Sequence, residues 1–153
     1  MTTAEEFWAA FCEARPDLAG LDTPHAAWHF CDNKADADEL VELVLAGRKR
    51  ATAGALWSYE AEEEALPRPG DFSVVTDWSG VGRCVIRTTV VEVVAFDEVT
   101  EDFAATEGEG DGSLAYWREA HRAAFSREFE GTGRSLQPDT PVVCERFEVV
   151  YPV

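Results

Sequence analysis

Lys49 and Thr52, in the run Leu45-Ala46-Gly47-Arg48-Lys49-Arg50-Ala51-Thr52, bring a cation and a hydroxyl to one turn, just after a glycine ends an apolar stretch. A hydroxyl attacks a carbonyl when a neighbouring base takes its proton, and a fixed cation stabilises the charge that then develops. Arg48 and Arg50 flank the lysine, so the same cluster can hold a phosphate or a carboxylate. The plainer account is that these cations complement the dipole at a helix C-terminus. Farther along, Glu107, Glu109 and Asp111 alternate with Gly108 and Gly110, which lets the backbone bend closely around a ligand or a cation. The spacing and the terminal glutamate of an EF-hand are missing, so a calcium loop is not expected, and the plainer account is a solvated acidic turn. His25 and His29 stand at i,i+4 with Cys31 close by, but Pro24 argues against the helix that would align them, so no zinc site is expected. His121 falls within an aromatic stripe and reads as a packed or partly exposed histidine.

The elements that must position these groups follow from periodicity. Ala4 to Arg15 carries Phe7, Trp8 and Phe11 at helical intervals and ends at Pro16. Asp36 to Ala46 places Leu40, Leu43 and Val44 on one helical face, with Gly47 as a left-handed stop. The alanines from Ala51 to Ala55, then Leu56, Trp57 and the acidic run Glu60 to Glu64, predict a further helix ended by Pro67, Pro69 and Gly70. On that reading Thr52 is as well placed to cap the helix as to do chemistry. Phe72 to Trp78 and Arg83 to Phe96, rich in Val, Ile and Thr and separated by Ser79-Gly80-Val81-Gly82, predict a β-hairpin. Val142 to Val150 predicts another strand, with Val143, Glu145, Phe147 and Val149 alternating against Cys144, Arg146, Glu148 and Val150. Ser113 to Phe129 is helical, with Leu114, Trp117, His121 and Phe125 along one side, and Thr100 opens a short helix that breaks at Gly108. The fold class is α+β, a small mixed or antiparallel β-barrel with flanking helices.

Composition bounds the function. A chain of 153 residues, 46% hydrophobic with five tryptophans, buries a substantial core as one compact unit. No apolar run reaches the roughly 20 residues of a membrane span, and the acidic N-terminus lacks a signal core, so a cytoplasmic location without membrane contact is expected. Cys12, Cys31, Cys84 and Cys144 are widely spaced without a CxxC pair and read as reduced, mostly buried thiols. The formal charge of −17, from 30 acidic against 13 basic residues, is a poor field for a long phosphate backbone. Duplex DNA is therefore not an expected partner, and any nucleic-acid contact is local.

Taken in order, several of these motifs resemble the ASCH domains, small relatives of the PUA-type RNA-binding β-barrels. The resemblance rests on Gly47-x-Lys49-x-x-Thr52, Pro69-Gly70-Asp71, Cys84-Val85-Ile86-Arg87-Thr88-Thr89, and Phe96-Asp97-Glu98-Val99-Thr100 running into Glu107-Gly108-Glu109-Gly110-Asp111. It continues through Ser113-Leu114-x-x-Trp117-Arg118-x-x-His121 and Pro141-Val142-Val143-Cys144-Glu145-Arg146-Phe147. It implies an ASCH domain over residues 28–153, with residues 1–27 as a helical extension packed on it.

Some small bacterial ASCH proteins are amidohydrolases that remove the acetyl group from N4-acetylcytidine with a lysine, a threonine and a glutamate. Lys49, Thr52 and Glu107 match those positions, so the resemblance implies amide hydrolysis of such a modified nucleoside in a barrel-mouth pocket, without a cofactor. Thr52 attacks the acetyl carbonyl, Lys49 accepts its proton provided the pocket lowers the amine pKa, and Glu107 passes a proton to the leaving nitrogen. Arg48, Arg50, Trp28, Trp57, Tyr59 and Glu109 form the expected substrate-binding set, the aromatic rings stacking on the base. Longer ASCH proteins with a similar acidic run have been described as ribonucleases, which implies short single-stranded or structured RNA as the rival substrate and admits a divalent metal. A non-catalytic RNA-binding module is the third implication. The sequence sets no oligomeric state.

Overall fold

The computed structural model describes residues 2–152. Helix α1 (Ala4–Ala14) opens on a capping box in which Thr3 and Glu6 satisfy each other's backbone amides. It buries Trp8, Phe11 and Cys12 against Phe72, Val74, Val85 and Val150. Strand β1 (His25–Trp28) follows, then helix α2 (Lys34–Leu45), capped by the Asn33 side chain. Past α2, Gly47 takes φ +82° and the amides of Gly47 and Arg48 bond back to Val44 and Leu43. This is a Schellman turn, and it delivers Lys49 directly behind the helix end.

The chain then departs from the helix predicted over Ala51 to Glu64. Ala51–Ala55 forms strand β2, and only Leu56–Ala61 is helical, as the short α3. The cause is tertiary. β2 pairs antiparallel with the last strand, and Ala51, Ala53 and Ala55 pack on the cluster containing Phe96, Trp117 and Phe125, where larger side chains would not fit. Pairing and burial override alanine's helical preference. Thr52 is therefore a strand residue and caps nothing, the cap position of α3 being Ala55, which has no side-chain cap bond.

The hairpin appears as β3 (Phe72–Thr76) and β4 (Gly82–Ala95), and β4 pairs along its length with β5 (Pro141–Tyr151). Helix α4 (Glu101–Glu107) is capped by Thr100 and stopped by left-handed Gly108, as the sequence predicts, and α5 (Leu114–Phe129) is capped by Ser113. The five strands run β1-β3-β4-β5-β2, with β1 parallel to β3 and the other pairs antiparallel. The class is α+β as expected, but no ladder joins β1 to β2, so the barrel is not closed. A strand at His25–Trp28 was not anticipated: Pro24 bars a helix there, and the segment pairs with β3 instead.

Gly108 fixes how closely the two halves of the site approach. It takes φ +66°, and a Cβ there would lie 2.0 Å from the Arg48 carbonyl oxygen. Gly108→Ala is expected to cost about 2 kcal/mol or more, from the left-handed backbone and the clash together, with a matching fall in Tm.

Candidate functional site

A cleft of about 930 Å³ lies along the open seam of the sheet, with His25, Ala26 and Trp28 of β1 and Thr52 to Ala55 of β2 in its walls. The Lys49 turn and the Glu107 segment meet at one side of it. The Arg50 amide donates to the Thr106 carbonyl at 2.8 Å, and the Arg48 guanidinium to the Gly110 carbonyl at 3.3 Å. These bonds, with the close approach of Gly108, hold Lys49 opposite the two glutamates.

Lys49 Nζ lies 3.1 Å from Glu107 Oε2 and 2.9 Å from Glu109 Oε2, and 5.0 Å above the Phe30 ring. The side chains of Lys49 and Glu107 are each only 1% exposed, whereas Glu109 is 22% exposed and faces the cleft. The other oxygen of Glu107 accepts from Trp117 Nε1 at 2.7 Å. His121 stacks on Trp117; its Nδ1 is 2.9 Å from the Trp117 carbonyl and its Nε2 3.4 Å from Glu107 Oε1. A carbonyl only accepts, so Nδ1 carries the proton, and in neutral His121 Nε2 is unprotonated.

The charges follow from these contacts. Burial pushes the Lys49 ammonium toward neutrality, but the charges and hydrogen bonds of Glu107 and Glu109 outweigh it and hold its pKa above the ordinary value. Burial acts against Glu107 as a carboxylate, yet Lys49 together with the bonds from Glu109, Trp117 and Lys49 keeps its pKa below the usual value. Glu109 is pushed up to about 7, first by burial and then by its contact with Glu107. Burial lowers His121, which leaves it neutral at pH 7. The condition attached to Lys49 as a base, a depressed amine pKa, is therefore not met: two carboxylates, not one apolar wall, face the amine.

Thr52 is half-buried on the cleft wall. Directly across the strand pair is Glu145, 6% exposed, whose Oε2 accepts from the Thr88 hydroxyl at 2.7 Å. Tyr59 lies over Gly54 on this same wall, so closely that a Cβ at Gly54 would come 3.2 Å from its ring. Trp28, Tyr59 and Glu109 of the expected binding set thus line the cleft.

Arg48, Arg50 and Trp57 stand apart from that lining. Arg50 donates to the Val44 and Lys49 carbonyls at 2.8 and 3.0 Å, which is the helix-end role its position predicted. Arg48 is engaged by Gly110. Trp57 packs edge-on against Phe129 with Arg134 over its ring, so its face is already occupied. Of the cysteines, Cys12, Cys84 and Cys144 are buried and Cys31 is exposed, all unpaired. His25 stacks on Trp8 and His29 packs by Trp78, so they share no site with Cys31.

Glu107, Glu109 and His121 offer ligand atoms within 4.8 Å of one another, the one group of metal-ligating side chains found among the described residues. The Lys49 ammonium already bonds both carboxylates, so a divalent ion there would have to displace it. Sequence reasoning passed over Glu145, and it read His121 as packed, as its stacking on Trp117 bears out, without placing it beside Glu107. The signal for Glu145 was an acid standing on an apolar strand face with Val143, Phe147 and Val149. For His121 it was the i+4 spacing from Trp117.

The remaining surface bears on partners. Among the described residues, no helix is long and apolar enough to cross a membrane. Asp36, Glu39, Glu62, Glu64, Asp71 and Glu128 add negative charge along the cleft, against the cations Lys49 and Arg127.

The ASCH domain family model matches residues 26–151. No curated protein matches the chain significantly. Among solved structures, the crystal structure of an ASCH domain from Lactobacillus crispatus JV V101 is 37% identical, covering 97% of this chain and 94% of its own, with a TM-score of 0.87. A protein from Enterococcus faecalis V583 is 35% identical, covering 96% of this chain and 87% of its own, with a TM-score of 0.85. With the motifs, the likeness of fold and the family match in agreement, this chain belongs to the ASCH domain family, a PUA-like family proposed to bind RNA.

Proposed function

We propose that the chain hydrolyses the amide of an N4-acetylcytidine-like nucleoside. The observation that carries this reading is the buried Lys49–Glu107–Glu109 cluster in the wall of a cleft that also presents Thr52. Thr52 Oγ1 attacks the acetyl carbonyl. Lys49, held as an ammonium, stabilises the oxyanion rather than taking the proton, which departs from the role implied by resemblance. Glu109, pushed up to about 7, and not Glu107, whose pKa is held below the ordinary carboxylate value, supplies the proton to the leaving N4. Glu107 is a positioning residue that fixes Lys49. Trp28 or Tyr59 offers a face for the base.

The acidic lining supports a neutral nucleoside over a phosphate backbone, because a polyanion would meet like charge along the cleft. Ribonuclease activity and non-catalytic RNA binding are the rival readings. The test is incubation of the purified protein with N4-acetylcytidine and, separately, with a short single-stranded RNA, with and without divalent metal. Release of cytidine is expected; RNA cleavage without deacetylation would overturn the reading. Turnover of the nucleoside should change less than about twofold between low and high salt, whereas phosphate contacts would make it fall steeply.

A pH prediction follows from Glu109. Its protonated form is the competent acid, so kcat/KM should fall as pH rises through about 7. Glu109→Gln should be slow and should lose that alkaline limb; a limb unchanged in the variant would exclude Glu109 as the donor.

A further inference from the structure

With Lys49 held as an ammonium, the proton leaving Thr52 needs another acceptor, and the strand register supplies one. Just ahead of β2 the Phe147 amide donates to the Arg50 carbonyl at 3.0 Å, which continues the β2–β5 register by one residue. Within that register Thr52 and Glu145 are direct partners across the antiparallel strand pair. Directly opposed residues project from the same face with Cβ atoms roughly 5 Å apart. Both line the cleft. The Thr88 hydroxyl holds one Glu145 oxygen, Oε2, at 2.7 Å, which orients the carboxylate and leaves Oε1 for a second partner. A nucleophile, a base beside it and a third group orienting that base are the three parts of an activated hydroxyl.

We infer that Glu145 is the general base for Thr52, with Thr88 as its positioning residue. This rests on the amide-hydrolysis reading and completes its proton balance. As the Thr52 oxygen bonds to the acetyl carbon, its proton passes to Glu145 Oε1. The C–N4 bond then breaks, N4 takes the proton of Glu109, and the free amine leaves. Water attacks the acetyl-Thr52 ester, giving its proton to Glu109, and Glu145 returns its proton to the Thr52 oxygen as acetic acid departs. Both carboxyl groups end as they began.

The groups facing Glu145 set its titration. Thr52 lies across from it on β2 and Thr88 on β4, with Tyr59 from α3 and Asp71 ahead of β3 close enough to interact electrostatically. Burial, then Asp71, raises the Glu145 pKa while the Thr88 hydrogen bond lowers it, so a carboxylate there is a stronger base than an exposed one.

The experiment measures acetylation of Thr52 by peptide mass, using N4-acetylcytidine and 4-nitrophenyl acetate separately, across pH, in the intact protein. Glu145→Gln should slow acetylation of Thr52 by about 100-fold or more and abolish its fall at acid pH, while Glu145→Asp recovers part of the rate. Thr88→Val should slow it less and move the acid limb to higher pH, since a bond favouring the carboxylate is gone. That shift is not produced by a merely structural role, and it keeps the inference testable if Glu145→Gln fails to fold. Equal rates in wild type and Glu145→Gln would overturn this inference and leave the hydrolysis reading standing. Acetylation by 4-nitrophenyl acetate alone, slowed in Glu145→Gln, would keep Glu145 as the base and overturn the N4-acetylcytidine assignment. No acetylation of wild type by either reagent would overturn both.

Discussion

Lys49→Met is expected to destabilise the protein by about 3–5 kcal/mol and to remove detectable turnover of N4-acetylcytidine. The stability loss comes from Glu107. Its side chain is 1% exposed, and without the ammonium at 3.1 Å it keeps only uncharged donors, the Trp117 indole and the Glu109 carboxyl. An unpaired buried carboxylate either stays charged at high cost or takes a proton. The pH dependence distinguishes this from simple loss of packing. In wild type the Glu107 pKa is held below its ordinary 4.5, so its contribution is present above that value and is lost as pH falls through the lower folded value. In Lys49→Met burial, the largest influence on Glu107, is opposed only by the bonds from Glu109 and Trp117 and no longer by a charge, so the pKa should rise and the variant should gain stability on acidification from pH 7. Adding Glu107→Gln should restore most of the stability, since an amide still accepts from Trp117, but none of the activity. Urea unfolding of the single and double variants at several pH values measures this. A Lys49→Met protein as stable as wild type would mean that the ion pair is not what holds the two segments together.

Thr52→Val is expected to lower kcat/KM at least about 1000-fold while changing stability by less than about 1 kcal/mol. The small structural cost is specific to the observed fold. In a strand, valine keeps the β-branched shape and the backbone pairing of Thr52 with Glu145 is untouched. Had Thr52 capped a helix, the same change would cost about 1 kcal/mol or more through a lost amide partner. Activity and thermal unfolding should be measured on the same sample. Turnover retained in a folded variant would remove Thr52 as the nucleophile and leave direct attack by water.

Much of this molecule is legible along the chain because it is set by local rules. The stop after α2 needs only a glycine with positive φ, and the start of α4 needs only Thr100. The β3–β4 hairpin and β5 are visible in their Val-rich alternation. The alanine-rich segment misleads because its propensity is helical while its small side chains pack, beside Val142 and Cys144 of β5, into the cluster around Phe96. β1 is too short to announce itself and exists through its parallel pairing with β3.

The same division holds in the cleft. The sequence by itself determined the family and the α+β class, and it singled out Lys49, Thr52 and Glu107 as candidates, since these rest on residue type and order along the chain. It also determined that the Arg48-Lys49-Arg50 cluster follows a helix end, although not that Arg50 is consumed by that end. Only the tertiary structure decided which charges face one another. Lys49 meets two carboxylates from a segment some sixty residues away, Glu109 is left near neutrality by burial, and Glu145 stands across from Thr52. The physical reason is that pairing and desolvation act through space, so a group's protonation depends on neighbours that spacing along the chain cannot specify.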